Sequence, residues 1–159
     1  MLLDSPAFPE LTFDELSDAP HWLQTIVQWH QQQWPLQSEQ QRQQKLRQHL
    51  EAAPFPTTLL ALRNDELIGS VSAVCYQRLG GVGPSYWLAN AYVVKSQRRR
   101  GVGSQLIQQA EAYAKQHQLH ELYLYATDQV PLYQRLGWEA LRQKKFKGEL
   151  ATIMRRDLG

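Results

Sequence analysis

The residues best suited to chemistry lie in two short stretches, Arg98-Arg99-Arg100-Gly101-Val102-Gly103-Ser104 and Thr127-Asp128-Gln129-Val130-Pro131-Leu132-Tyr133-Gln134-Arg135-Leu136-Gly137-Trp138. The first is a basic loop with two glycines. An apolar strand pattern from Tyr86 to Val94 precedes it, and a helical pattern follows in which Val102, Leu106, Ala110 and Tyr113 recur. Strand, glycine loop and helix N-terminus in that order hold phosphate on backbone N–H groups, aided by the helix dipole. Gly101 and Gly103 lack Cβ, so a pyrophosphate can approach the backbone closely. Two nucleotide loops are excluded: no Gly-Lys-Ser/Thr follows, and Leu106 stands where the third glycine of G-x-G-x-x-G belongs. The second stretch offers a phenol, Tyr133, and a carboxylate, Asp128. Each also has a structural explanation. Tyr133 suits half-buried packing, and Asp128 suits the cap of a short helix with Pro131 in its first turn.

The elements that must position these residues follow from periodicity. Along the strand before the loop, Leu88, Asn90, Tyr92 and Val94 fall on one face, and Ala89, Ala91 and Val93 on the other. A strand is expected over Glu121–Ala126, with Leu122, Leu124 and Ala126 on one face. A helix from Val130 to Leu136 follows, closed by Gly137. Upstream, Leu11–Phe13 reads as a short strand, and Asp18 as the cap of a helix with Pro20 just inside it and Trp22, Ile26, Trp29 and Gln33 at helical spacing. Ser38 and Gln41 form a capping-box pattern opening a second helix to about Ala52. Eleven glutamines between Gln24 and Gln48 would suit a low-complexity tract, but the caps and the aromatic spacing favour helices. With few apolar positions (Leu46, Leu50, Ala53), the second helix is expected on the surface as a lid. Thr57–Arg63 and Leu67–Tyr76 read as a hairpin about Asn64-Asp65, and Ala140–Phe146 with Thr152–Leu158 as strands about Lys147-Gly148. The order β-α-α-β-β-β-α-β-α-β-β predicts an α/β fold with a mixed sheet, in one domain over residues 1–159.

Composition narrows the function. The 43% hydrophobic and 20% charged residues are those of a soluble globular domain, and no apolar run approaches a membrane span, so no membrane partner is expected. The first residues show no signal-peptide pattern, and the single cysteine, Cys75, excludes an internal disulfide; a cytoplasmic location is expected. The five histidines have no metal-ligand spacing, which predicts no metal. The net charge of +2 divides unevenly, with −4 over residues 1–60 and +6 over 61–159. A basic half suits an anionic ligand. Nucleic acid is the rival ligand, but Lys95–Gly103 contains no aromatic residue to stack on bases, so none is expected.

Together the two stretches resemble the Gcn5-related N-acetyltransferases. The acetyl-CoA loop of that family, Gln/Arg-x-x-Gly-x-Gly/Ala, is matched by Arg98, Gly101 and Gly103. Its late Tyr-x-x-Leu-Gly-aromatic signature is matched by Tyr133, Leu136, Gly137 and Trp138. The resemblance spans nearly the whole chain and is weakest before Thr57. It implies a central, mostly antiparallel sheet flanked by helices and splayed between Tyr86–Val94 and Glu121–Ala126 to admit acetyl-CoA. It further implies that Tyr92, Val93 and Val94 pair with the pantetheine arm, and that Arg98, Arg99, Arg100, Gly101, Val102, Gly103 and Ser104 surround the pyrophosphate. A β-bulge N–H near Tyr92 or Val93 would stabilise the oxyanion, and Tyr133 would protonate the departing thiolate. The implied acceptor is a primary amine, of a small molecule or a peptide, and a homodimer is an open assembly. Trp34 and Trp87 suit the pocket wall less than the core. The sequence departs from the family in two places. No glutamate lies on Tyr86–Val94, and the usual asparagine after the next strand is replaced by Ala126-Thr127-Asp128. Asp128 is then the candidate base, against its capping role or a water chain. A fold that binds CoA without turnover is the alternative these departures leave.

Overall fold

Asn64 and Asp65 both take the left-handed conformation (φ 55° and 61°), which two-residue turns of the primed type require. They close the hairpin of β2 (Thr57–Arg63) and β3 (Glu66–Gln77). A computed structural model describes residues 10–51, 53–77, 83–146 and 148–159. Of the expected Gly80–Pro84 loop, Gly83 and Pro84 are among these residues. Of the Lys147-Gly148 turn, only Gly148 is. Around the hairpin runs one seven-stranded sheet, ordered β1-β2-β3-β4-β5-β7-β6. Its remaining strands are β1 (Thr12–Glu15), β4 (Pro84–Val93), β5 (Glu121–Ala126), β6 (Glu139–Phe146) and β7 (Glu149–Asp157). Every neighbouring pair is antiparallel except β4 with β5. No helix among the described residues is long and apolar enough to cross a membrane.

Helices cover both faces. α3 (Val102–Gln116) and the short α4 (Val130–Arg135) lie on one face. There Val102, Leu106, Ile107 and Ala110 join Leu59, Ala61, Ile68, Val71, Leu122, Leu124 and Met154 in the larger core. α1 (Leu23–Gln33) covers the other face, its Ile26 and Val27 packing with Leu16, Leu46, Leu60 and Leu62. α2 (Glu39–Arg47) opens with the expected capping box: Ser38 Oγ accepts from Gln41 N–H, and Gln41 Oε1 accepts from Ser38 N–H, both at 3.1 Å. It lies on the surface against α1, joined to it largely by polar side chains. Gln24 and Gln28 donate to Glu39 (2.8 and 2.6 Å), Gln43 donates to Gln24 (2.9 Å), and Arg42 Nε donates to Gln31 (3.1 Å). Gln24, Gln28, Gln31 and Gln43 thus link the two helices.

Three expectations of local structure change. The second helix ends at Arg47 and passes into a 3₁₀ turn, Gln48–Leu50, short of Ala52, which lies outside the described residues. Asp18 does not cap α1. Two 3₁₀ turns, Leu16–Asp18 and Pro20–Trp22, intervene, and the helix begins after Trp22, beyond reach of the carboxylate. The alternation along β4 also breaks. Ser72 pairs with Ala89 and Ser70 with Tyr92, so Asn90 (φ 55°) and Ala91 form a bulge. Leu88 therefore faces α3, whereas Tyr92 faces α1 and stacks on Trp29 at 4.9 Å.

Candidate active site

β4 and β5 meet in a single registered pair, Trp87 with Tyr123, and part from there. Parallel strands that share one pair leave unmatched N–H and C=O groups along both facing edges beyond it. On the β4 edge the ladder decides which groups are open. Val94 N–H donates to Ile68 C=O at 2.9 Å, across the Gly69–Val93 pair. By antiparallel alternation, the N–H and C=O of Val93 then point away from β3 and into the split. The Val93 carbonyl already accepts from Arg98 Nε at 2.7 Å. Of Tyr92, Val93 and Val94, it is therefore Val93 that presents an N–H to the opening.

The basic loop lies at the end of that edge. After the 3₁₀ turn Lys95–Gln97, Arg98 is extended, Arg99 is left-handed (φ 64°), and Gly101 is left-handed at the N-cap of α3 (φ 79°). Arg98 braces the loop. Its N–H donates to Lys95 C=O (3.3 Å), and its guanidinium lies 5.4 Å from the centre of the Tyr92 ring. Arg98, Arg99 and Arg100 are exposed, as is Lys95, which makes the approach strongly cationic. The first intrahelical bond of α3 runs from Gln105 N–H to Gly101 C=O (3.0 Å), and no side chain caps the helix. The N–H groups of Val102, Gly103 and Ser104 therefore have no helical acceptor.

A phosphate group fits this loop. A Cβ at Gly101 would meet nothing within 4 Å, and one at Gly103 would meet only Val93 Cγ2 at 3.8 Å. Gly101 needs its positive φ, but nothing in the packing requires a glycine at 103. N–H groups without helical acceptors, beside glycines whose Cβ positions are open, suit an anion.

α4 follows β5 through Thr127 and Asp128, which puts Tyr133 on the α3 face of the sheet, half-buried against the larger core. Its ring stands edge-on to Trp138 at 6.3 Å. Trp138 Nε1 donates to Glu111 (3.1 Å), which also accepts from Arg156 Nε (3.0 Å), so α3 and β7 together fix the residue behind Tyr133. Burial, and secondarily the charge of Asp128, push the Tyr133 phenol above its ordinary pKa, so it keeps its proton at neutral pH. Asp128 does not cap α4. The N-cap is Gln129, left-handed at φ 62°, with no side-chain cap, and Asp128 is exposed. The left-handed residue turns the chain between the carboxylate and the helix, which removes the capping explanation. The charge of Asp128 acts instead on Tyr133.

Trp34 and Trp87, expected in the core, are both half-buried, Trp34 edge-on to His30 at 5.4 Å. Two further positions shape the site without having stood out in the sequence. Gly69 allows β3 to approach both β4 and α3: a Cβ there would lie 2.9 Å from Tyr92 O and 2.9 Å from Leu106 Cδ1. A glycine inside the strand pattern Leu67-Ile68-Gly69-Ser70 is the signal for such an approach. Asn90 bends β4 at the split, and asparagine inside an apolar strand is the matching signal.

The acetyltransferase (GNAT) family model matches residues 23–138 of this chain. Among solved structures, an acetyltransferase of the GNAT family from Streptococcus pneumoniae superposes with a TM-score of 0.72 at 21% identity, over 94% of this chain and 100% of that one. An aminoglycoside 6′-N-acetyltransferase complexed with coenzyme A gives 0.74 at 15% identity, over 92% and 97%. Arabidopsis thaliana Naa50 in complex with the bisubstrate analogue CoA-Ac-MVNAL gives 0.71 at 17%, over 92% and 98%. No curated relative matches the chain in sequence. At these identities the superpositions establish the fold, and the family match establishes the lineage. The chain belongs to the acetyltransferase (GNAT) family, acyltransferases that use acetyl-CoA.

Proposed function

We propose that this protein transfers the acetyl group of acetyl-CoA to a primary amine, on a small molecule, a peptide N-terminus or a lysine, by direct attack in a ternary complex. The observation that carries this reading is the parting of β4 and β5 after one residue pair, beside an uncapped and cationic helix N-terminus. Acetyl-CoA supplies an activated acyl thioester when bound. The N–H groups of Val102, Gly103 and Ser104 hold its pyrophosphate, with Arg99 and Arg100 lending charge and Arg98 bracing the loop. The Val93 N–H pairs with the pantetheine arm, Tyr92 and Val94 anchoring that edge to its neighbours. An N–H at the Asn90–Ala91 bulge draws charge from the carbonyl oxygen as it develops.

The acceptor must lose a proton before it can attack, because a free alkyl ammonium of the lysine type has a pKa of about 10.4. Asp128 takes that proton, directly or through water. The amine nitrogen then bonds the acyl carbon as the carbon–sulfur bond breaks, and a second nitrogen proton leaves. Tyr133 delivers a proton to the sulfur, so that an amide, a free thiol and one released proton result. CoA release dependent on both acetyl-CoA and a primary amine tests the reaction. Replacing Tyr133 with Phe should lower kcat about tenfold to a hundredfold with little change in KM. Full turnover by that variant would remove Tyr133 from the mechanism.

A further inference from the structure

α4 is too short to hold itself in place. It has six residues, a left-handed Gln129 at its N-terminus, no side-chain cap and no fully buried residue. Isolated helices need roughly 12–15 residues to be even marginal in water, so its position is set by what grips it. Val130 and Tyr133 pack partly against the larger core. The firmer hold is at the C-terminal end. Gly137 N–H donates to Gln134 C=O and Trp138 N–H to Tyr133 C=O, both at 3.0 Å, with Gly137 left-handed at φ 100°. These are the two bonds of a Schellman motif. Tyr133 and Trp138 are its two ends, and their rings meet edge-on across it.

One carboxylate grips that motif from outside. Glu111 of α3, largely buried, accepts from Trp138 Nε1 through Oε2 and from Arg156 Nε through Oε1. Trp138 is buried, so its indole N–H needs the acceptor that Glu111 supplies. Arg156, on β7, carries the hold further. Its Nη1 donates to Gly137 C=O at 3.2 Å, and its guanidinium fills the place of a side chain at Gly137, with Nη1 2.6 Å from an ideal Cβ. Both residues that follow the C-cap Leu136 are therefore tied to one charged group, Trp138 directly and Gly137 through Arg156. Bonds to a charged acceptor are stronger than those between neutral groups. The helix whose N-terminus would hold the pyrophosphate thus also carries the group that fixes the end of α4.

Resting on the acetyl-transfer reading, we propose that Glu111 is a positioning residue for the reaction: by holding Trp138 and Gly137 it sets the Tyr133 hydroxyl in fixed relation to the α3 N-terminus, and so to the sulfur that Tyr133 protonates. It acts through Tyr133 and not on the substrates. A group displaced by about 1 Å can lose up to about a hundredfold of its catalytic effect.

The test is a double-mutant cycle of Glu111 with Tyr133. CoA release is followed with whichever of spermidine, kanamycin, tyramine and the dipeptide Ala-Gly turns over fastest, and acetyl-CoA affinity by calorimetry on the same samples. Glu111→Ala should lower kcat about tenfold, with KM and acetyl-CoA affinity within about twofold of wild type. Glu111→Gln keeps an oxygen for Trp138 and should recover all but about twofold to threefold of the loss. In the Tyr133→Phe background Glu111→Ala should have no further effect on kcat, because the residue it acts through is already gone. Unaltered kcat in Glu111→Ala overturns the proposal, as does an equal loss in the Tyr133→Phe background or a parallel loss of acetyl-CoA affinity. If Glu111→Ala does not fold, Arg156→Lys replaces it in the cycle. A single ammonium cannot bridge Glu111 and the Gly137 carbonyl, so kcat should fall about threefold, again only while Tyr133 is present. If acetyl-CoA binds yet no amine turns over, NMR of Cζ-labelled tyrosine decides, the Tyr133 resonance being the one missing in Tyr133→Phe. Its titration midpoint should fall in Glu111→Ala as the ring loosens from its half-buried site, and an unmoved midpoint overturns the proposal. Failure of acetyl-CoA itself to bind is a different result, which overturns the acetyl-transfer reading and this proposal with it.

Discussion

The two faces of the sheet are packed by different chemistry. Under α3 the core is aliphatic and continuous: Val102, Leu106, Ile107 and Ala110 against Leu59, Val71, Leu122 and Met154. Under α1 the aliphatic cluster is smaller, and buried polar groups take over beside it. His49 Nδ1 lies 2.8 Å from Thr58 Oγ1, which lies 2.8 Å from Ser72 Oγ. His30 Nε2 and Ser70 Oγ are buried with no hydrogen-bond partner among the described residues. The contrast suits a division of labour. A rigid aliphatic layer holds the α3 N-terminus and Tyr133 in fixed relation, as preorganised donors require. The polar layer lies on the opposite face, that of α1.

The largest difference between the faces should appear on truncation. Leu106 is buried against Gly69, and Leu106→Ala should cost about 3 kcal/mol by urea unfolding. Thr58→Val on the other face leaves His49 and Ser72 without their shared partner and should cost about 1–2 kcal/mol. Equal costs would erase the contrast.

Next in size is pH. Burial, then the charges of Arg42 and His49, lower the His30 pKa to about 4, and burial lowers that of His49. For a histidine whose folded pKa is depressed, the unfolded chain binds the proton first. Stability is therefore complete above about pH 6.5 and falls as the pH drops toward 4. His30 alone should remove about 2 kcal/mol between pH 7 and pH 5, read from urea midpoints, and His30→Gln should flatten the dependence. A wild-type protein equally stable at both values would show that these histidines carry no such linkage.

The third expected effect is small in stability and chemical in kind. Asp128→Asn removes both the proposed base and the charge that helps raise the Tyr133 pKa, so kcat should fall about a hundredfold and its alkaline limb move to lower pH, while unfolding changes by less than about 0.5 kcal/mol. A limb that stays in place would separate the two residues.

Much of this arrangement was legible in the sequence where one local rule acts alone. β5 runs from Glu121 to Ala126 as its alternation predicts, because a half-buried strand writes its period directly. The Ser38–Gln41 box and the Asn64-Asp65 turn were equally legible, being closed by neighbouring residues. Local pattern does not carry what a distant partner decides. β4 alternates correctly up to Ala89, and then its register against β3 sets Asn90 and Ala91 against Val71 alone, one extra residue that reverses the faces of all that follows. Asp18 and Asp128 both look like caps, yet turns set by the surrounding chain carry them away from the helices they would cap. At the site, the glycine-containing turn ahead of α3 was readable from glycine and arginine spacing. The packing of Trp87 against Tyr76, Tyr123 and Tyr125 was not, since these residues come from three strands that only the sheet order brings together.

The proposed function stands on the N-terminus of α3, where Gly103 and its neighbouring N–H groups would hold the pyrophosphate of acetyl-CoA. Calorimetric titration of acetyl-CoA into the wild-type protein and Gly103→Val tests it most directly, with dephospho-CoA and ATP as controls. Gly103 has an ordinary φ and an unfilled Cβ position, so the substitution should leave the melting temperature nearly unchanged. Saturable binding at one site per chain is expected, weakened at least about tenfold in Gly103→Val, the loss of roughly 1.4 kcal/mol or more. Absence of binding in the wild-type protein, or equal affinity in the two, would contradict it.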